Sequence, residues 1–283
     1  MMTGLIHEGT RRLAAAGLPS AQHEVEWLLG HLLDCSRPEL RLQERDVPPQ
    51  VAQRFWSALE ARTTGTPLQY LIGSADFYGQ RLAVAPGVFI PRPETEAIAE
   101  AALAALRERA AAVQRPLRLL DAGTGSGCLA ITLARHLPAC LVVAVELSWD
   151  ALTAALANCR ACGLSAQVQL VQGRWLEAIR GGFDGLVSNP PYIPSDDVRR
   201  LPLDVRQEPH VSLDGGADGF DALRILLADA SRLLLPGGVM VLECGETQVE
   251  TLLAMAAAQS WVEQGHPLRD LADRPRGVLI TAK

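Results

Sequence analysis

Four consecutive residues, Asn189-Pro190-Pro191-Tyr192, carry groups that together could hold a planar –NH2. The oxygen of an Asn side chain accepts a hydrogen bond from an amine or amide. Pro190 has no N–H, so its carbonyl is its only backbone polar group and can accept a second. Tyr192 offers a flat face for a planar group. Such a clamp suits a nitrogen that has to attack a methyl group. About 65 residues upstream runs Asp121-Ala122-Gly123-Thr124-Gly125-Ser126-Gly127. Its glycines allow a sharp turn and a close approach of backbone to ligand. The two stretches point to a nucleotide-type cofactor on one side and a planar amide or amine on the other.

These groups can cooperate only if secondary structure gathers them. From Leu117 onward apolar runs alternate with helical patterns. Strands are expected at 118–121, 141–147, 168–172, 185–188, 238–244 and 277–281, with helices at 127–136, 149–162, 219–234 and 247–258. This alternation predicts an α/β fold with a mostly parallel sheet. Ligands of such sheets bind at the carboxyl ends of the strands, so the glycine loop, Glu146 and Asn189 should share one cleft. Glu146 ends the strand after the loop, where an acid can bind two ribose hydroxyls. That spacing fits NAD and S-adenosylmethionine equally. A hydride-transfer enzyme would need a placed His, Tyr or Lys, whereas here the fourth strand ends in Asn-Pro-Pro-Tyr. Trp175, after the third strand, either flanks an adenine or serves as a packing aromatic.

Upstream, residues 1–65 read as helices, with Leu5, Ile6, Leu13, Val25, Leu28, Leu29, Leu32 and Leu33 recurring at three- and four-residue spacing. Residues 66–92 read as a β-hairpin linker, turning at Phe77-Tyr78-Gly79-Gln80. Phe89-Ile90-Pro91-Arg92-Pro93-Glu94-Thr95-Glu96 then enters a helix that runs to about residue 112. Two prolines fix an extended entry, and Glu94 and Glu96 suit a helix N-terminus. This segment is expected to line the site. Residues 93–283 form the catalytic part.

Composition narrows the classes. The chain has 283 residues, 48% hydrophobic and 20% charged, with net charge −6. An acidic balance counts against duplex DNA as a partner. Lys283 is the only lysine, and the arginines are scattered rather than clustered into a binding tail. No signal-peptide pattern and no membrane-length apolar run stands out. A cytoplasmic protein with six reduced cysteines is expected. Cys159-x-x-Cys162 has no second pair or His doublet at zinc spacing and reads as buried structural thiols. His23 and His31 lack a third ligand, so no metal site is expected.

With these residues in view, the chain resembles the class I S-adenosylmethionine-dependent methyltransferases. More closely it resembles the HemK/PrmC family, the protein N5-glutamine methyltransferases of peptide chain release factors. The likeness covers nearly the whole chain, including Pro67-Leu68-Gln69-Tyr70, Phe89–Glu96, Asp121–Gly127 and Asn189–Tyr192. Asn-Pro-Pro-Tyr alone is shared with adenine-N6 methyltransferases, and the Phe89–Glu96 stretch is far more specific. The family often has a bulkier aliphatic residue in place of Ala122 and Asp in place of Glu146.

The resemblance implies a Rossmann-like sheet with an antiparallel last strand and a small helical N-terminal domain that docks the protein substrate. It assigns S-adenosylmethionine to Asp121, Gly123, Thr124, Gly125, Ser126, Gly127, Glu146, Trp175 and Asn189, with S-adenosylhomocysteine as product. It assigns catalysis to Asn189, Pro190 and Tyr192, and the substrate glutamine to Asn189, Pro190, Pro191, Tyr192 and Phe89. The implied partner is a class 1 release factor, modified at the glutamine of its Gly-Gly-Gln motif by a monomeric enzyme without direct nucleic-acid binding. Three other readings stay open: a ribosomal-protein glutamine as acceptor, adenine-N6 methylation, and a cofactor-binding module without activity.

Overall fold

The computed structural model describes residues 2–42 and 46–283, so residues 1 and 43–45 of the expected helical part lie outside it. The chain divides into two units, one of residues 1–74 with 202–207, the other of 75–201 with 208–283.

The first unit holds α1 (Met2–Ala15), α2 (Ala21–Leu33), α3 (Arg37–Leu42), α4 (Pro49–Thr63) and α5 (Leu68–Ile72). The three- and four-residue spacing puts Leu13, Val25, Leu28, Leu29, Phe55 and Leu59 into one buried cluster. Leu68 of α5 joins it, so the helical core extends beyond residue 65. Pro49 begins α4, where its missing N–H has no helical partner to lose. Arg62 is buried and pairs with Glu24 at 2.5 Å and with Asp204 of the returning segment at 3.1 Å.

The second unit opens with a hairpin of β1 (Ser74–Phe77) and β2 (Gln80–Ala83). Tyr78 and Gly79 form its turn, both with positive φ, the conformation a two-residue hairpin loop requires. The following elements are α6 (Thr95–Val113), β3 (Leu117–Ala122), α7 (Cys128–His136), β4 (Cys140–Glu146), α8 (Trp149–Ala161), β5 (Val168–Gln172), β6 (Phe183–Ser188), α9 (Ser195–Val198), α10 (Asp221–Ala230), β7 (Leu234–Glu243), α11 (Val249–Ala257), β8 (Val262–Arg269) and β9 (Pro275–Ala282). The sheet order is β5-β4-β3-β6-β7-β9-β8. β3 to β7 run parallel, and β9 is antiparallel to both β7 and β8.

Alternation along each strand feeds two cores. Leu119, Ala144, Val187 and Val241 face α6 and α7, while Leu120, Val145, Leu186 and Met240 pack with α10 and α11. The strand order reverses between β3 and β6, which opens a crevice at their carboxyl ends. Two expectations need correction. The strand β8 had no counterpart in the sequence reading. The helix expected over 219–234 stops at Ala230, and β7 begins at Leu234. Of the cysteine pair, Cys159 is buried but Cys162 only half-buried, and both are free thiols.

Candidate active site

At the crevice lies a cavity of about 530 Å³. The turn from β3 to α7 forms one wall. Asp121 ends β3 fully buried, and its Oδ2 accepts from the Thr124 hydroxyl at 2.5 Å and from the Ala130 N–H at 3.0 Å. Gly125 has φ +57°, in the left-handed region, with no atom within 4 Å of where a Cβ would sit. That position needs glycine for its backbone, not for lack of room. The Gly125 N–H donates to Glu146 Oε2 at 2.8 Å, and the Ser148 N–H donates to Oε1 at 2.8 Å. Glu146 thus ties the loop to the end of β4. Asn158 of α8 braces the loop from behind, donating to the Ser126 carbonyl and the Ala83 carbonyl.

The opposite wall comes from β6 and the segment entering α6. The Ser188 hydroxyl donates to the Ala122 carbonyl at 2.6 Å, joining the ends of β6 and β3. Asn189 Nδ2 donates to Thr95 Oγ1 at 3.0 Å. Asn189 Oδ1 and the Pro190 carbonyl receive no donor from the described residues. Tyr192 is fixed at both ends. Its hydroxyl donates to Glu243 Oε1 at 3.1 Å, and its carbonyl accepts from Gln248 Nε2 at 3.0 Å. Phe89 is held by its neighbours. The buried Glu208 carboxylate accepts from the Ile90 N–H at 2.9 Å and from Arg92, whose guanidinium lies over the Phe89 ring.

Of the sequence-predicted residues, Phe89, Gly123, Thr124, Gly125, Ser126, Glu146, Trp175, Asn189 and Pro191 line the cavity. Asp121, Gly127, Pro190 and Tyr192 lie outside the lining set. The Tyr192 ring packs among apolar neighbours instead. Trp175 lines the cavity and also packs against the core. The sequence reading missed Glu208, Glu243 and Gln248. For Glu243 a signal existed: an acid inside the apolar run Val239-Met240-Val241-Leu242-Glu243-Cys244.

The electrostatics favour a cationic guest. Burial pushes Asp121 up to about 7, against the Thr124 and Ala130 donors, with Glu146 adding repulsion. Its Oδ1 has no hydrogen-bond partner, nor has the buried Ser126 Oγ that lines the cavity. Burial also pushes the Cys128 thiol up to about 12, so it offers no thiolate to the cavity. S-adenosylmethionine, with its ammonium and sulfonium, fits this donor and acceptor set. Glu146 and Trp175 both line this cavity.

A mostly parallel sheet with a glycine turn at its switch point and an acid ending the next strand is the architecture of α/β enzymes that bind a nucleotide-type cofactor. Residues 82–201 match the family described as methyltransferase small domain, and residues 4–73 the PrmC N-terminal domain. A methyltransferase from Pyrococcus furiosus aligns with TM-score 0.51 at 18% identity, over 72% of this chain and 89% of its own. A 16S rRNA methyltransferase from T. thermophilus, in complex with AdoMet and guanosine, aligns with TM-score 0.51 at 24% identity, over 74% and 50%. Both likenesses concern the fold. The release factor glutamine methyltransferase of Moorella thermoacetica is 44% identical over 95% of this chain and 94% of its own length. That of Deinococcus radiodurans is 37% identical over 97% and 96%. The chain belongs to the release factor glutamine methyltransferase family.

Proposed function

We propose that this enzyme methylates the side-chain amide nitrogen of the glutamine in the Gly-Gly-Gln motif of class 1 peptide chain release factors. The observation that carries the reading is the commitment of Asn189 Nδ2 to Thr95, which leaves Oδ1 and the Pro190 carbonyl as two open acceptors. An –NH2 has two hydrogens to give to them. The names of the relatives supply the acceptor protein.

When bound, S-adenosylmethionine supplies an electrophilic methyl group on a cationic sulfur that departs as a neutral thioether. Gly123 to Ser126, Glu146 and Trp175 would hold it. Asn189 Oδ1 and the Pro190 carbonyl each accept one N–H of the glutamine amide and turn its nitrogen toward the methyl carbon. The amide nitrogen takes up the methyl carbon that the cofactor would supply. The nitrogen, now positive, releases one proton to solvent and the neutral N-methyl amide remains. A methylated amide cation is a strong acid, so no dedicated base is needed. The rate comes from positioning and from acceptors aimed at developing positive charge. Phe89 walls the amide, and Tyr192 holds the backbone that carries the Pro190 carbonyl. The helical unit docks the release factor, and the enzyme acts as a monomer in the cytoplasm. No helix of the described residues is long and apolar enough to cross a membrane.

The test is label transfer from radioactive S-adenosylmethionine to a purified release factor and to its Gln→Ala variant at the Gly-Gly-Gln motif. Label on the unmodified factor alone is expected. Equal label on both, or label only on ribosomal proteins, would refute the proposed acceptor.

A further inference from the structure

The segment that carries Phe89 into the cavity wall belongs to no strand or helix. Residues 84–94 lie between β2 and α6, and neither Phe89 nor Ile90 makes a backbone–backbone hydrogen bond among the described residues. Pro91 has no N–H to give. Buried N–H groups are nearly always paired, so the buried Ile90 has to find its partner in a side chain. That partner is Glu208, 118 positions away, whose Oε2 accepts from the Ile90 N–H at 2.9 Å. Val88 and Ile90 are buried on one side of the chain, while Phe89 between them is half-buried and lines the cavity.

The other Glu208 oxygen, Oε1, accepts from Arg92. The Glu208 side chain is 1% exposed and that of Arg92 29%. The Arg92 guanidinium carbon lies 4.9 Å from the centroid of the Phe89 ring. A guanidinium is planar, and one held by a carboxylate presents a fixed flat cation to the ring face. One carboxylate thus fixes the backbone next to Phe89 and, through Arg92, the ring itself. Neither Arg92 nor Glu208 lines the cavity. A ring set before the substrate arrives removes the ordering cost that a loose ring would add to binding and orientation.

We propose that Arg92 and Glu208 are positioning residues of the acceptor side, setting the Phe89 ring as a preformed wall against which the substrate amide is held. The inference rests on the proposed place of the glutamine amide beside Phe89. Glu208 acts on the backbone and on Arg92, and Arg92 acts on the ring. Their loss should therefore be felt in the use of the acceptor protein and not in the binding of the cofactor.

The experiment measures kcat and KM for a release factor, with S-adenosylmethionine affinity by calorimetry, in the full chain and four variants. These are Arg92→Met, Arg92→Met with Glu208→Gln, Phe89→Leu, and Phe89→Leu with Arg92→Met. Arg92→Met alone strands the buried Glu208 charge. Adding Glu208→Gln removes that charge and keeps an oxygen for the Ile90 N–H, so the pair can be tested even where the single variant folds poorly. Each Arg92 variant should lower kcat/KM for the release factor by about tenfold, with cofactor affinity within about twofold. In the Phe89→Leu background the same Arg92→Met change should alter kcat/KM by less than about twofold, because the ring it acts on is gone. A second readout needs no acceptor. With 4-fluorophenylalanine at position 89, the fluorine NMR line of the parent should move and broaden when Arg92→Met and Glu208→Gln are introduced together. Parent-like kcat/KM in both Arg92 variants, an equal loss in the Phe89→Leu background, or a matching fall in cofactor affinity overturns the proposal. If the parent transfers no label to the release factor, the proposed acceptor falls by that result. The fluorine line then decides separately: moved, it supports the setting of the ring by Arg92 and Glu208, and unmoved, it overturns it.

Discussion

In the proposed mechanism Asn189 works by what it leaves unpaired. Replacement by Ala removes one of two acceptors for the substrate amide without touching the glycine loop. Turnover should fall by about a hundredfold or more, while cofactor affinity, read by calorimetry, stays within a few fold. Asp121 and Glu243 make a second prediction. Burial raises both to about 7 in the folded enzyme, above their ordinary values of 3.8 and 4.5. A folded-state value above the unfolded one means that the native protein binds more protons between the two. The stability these groups contribute is complete below about pH 4 and is lost as pH rises through 7. The cofactor-free protein should therefore lose stability from them between pH 5 and 8 in urea titrations, and Asp121→Asn with Glu243→Gln should flatten that loss. A cationic cofactor favours ionised Asp121, so its affinity should rise from pH 6 to 8 in the parent and much less in Asp121→Asn. The place of Asn189 in the cavity lining, just after β6, was legible in the sequence from its motif after an apolar run. Glu243 was not, since its contact with the Tyr192 hydroxyl joins residues 51 positions apart.

The elements hold the site by a few irreplaceable contacts. Gly219 follows the segment that pairs with Ile193, where Ile193 and Asp214 form an isolated bridge. Its φ is +80°, and a Cβ there would lie 2.3 Å from the Tyr192 carbonyl oxygen. Gly219→Ala should thus cost roughly 2–5 kcal/mol, strain and overpacking together, and lower activity along with stability. At the far end of β6, Asp184 is fully buried and accepts from Arg115, from Arg109 and from the Arg118 N–H. Burial alone would raise its pKa, but these donors outweigh it and hold it below the usual range. Asp184→Ala would leave Arg109 without its buried partner, and a loss of about 3–5 kcal/mol is expected by urea denaturation. Most strands were legible because both faces of a parallel sheet are covered and read as apolar runs. The strand β8 escaped because it is an edge strand, Val-Glu-Gln-Gly-His-Pro-Leu-Arg, largely exposed. Its Gly265 and Pro267 read as a turn, yet an edge tolerates both. Glu96 was read as a helix-start charge, whereas its Oε1 accepts from the Tyr78 N–H at 2.7 Å and anchors the hairpin turn.

At the scale of the whole molecule, the alternation of strands and helices and the placement of the glycine loop and Asn189 at strand ends were readable, since both follow from periodicity and chain order. The closure of the helical unit by residues 202–207 was not, because nothing in a local window shows that a segment about 140 positions away comes back. That closure is asymmetric in energy. Glu24 and Arg62 are both largely buried, whereas Asp204 is one-third exposed. Arg62→Ala should destabilise by about 3–5 kcal/mol by stranding Glu24, and Asp204→Asn by at most about 1 kcal/mol. The same layout sets an order of events at the ribosome. Asp204 follows Arg62 by 142 positions. At ~5–20 residues per second, the nascent helices wait roughly 7–28 s for their last segment to be made. The Arg62–Glu24 pair needs no residue beyond Arg62, so it can form first. The helical unit can therefore begin to fold before Pro202–Gln207 are made, and it is completed when they emerge, ahead of β7, β8 and β9 of the other unit.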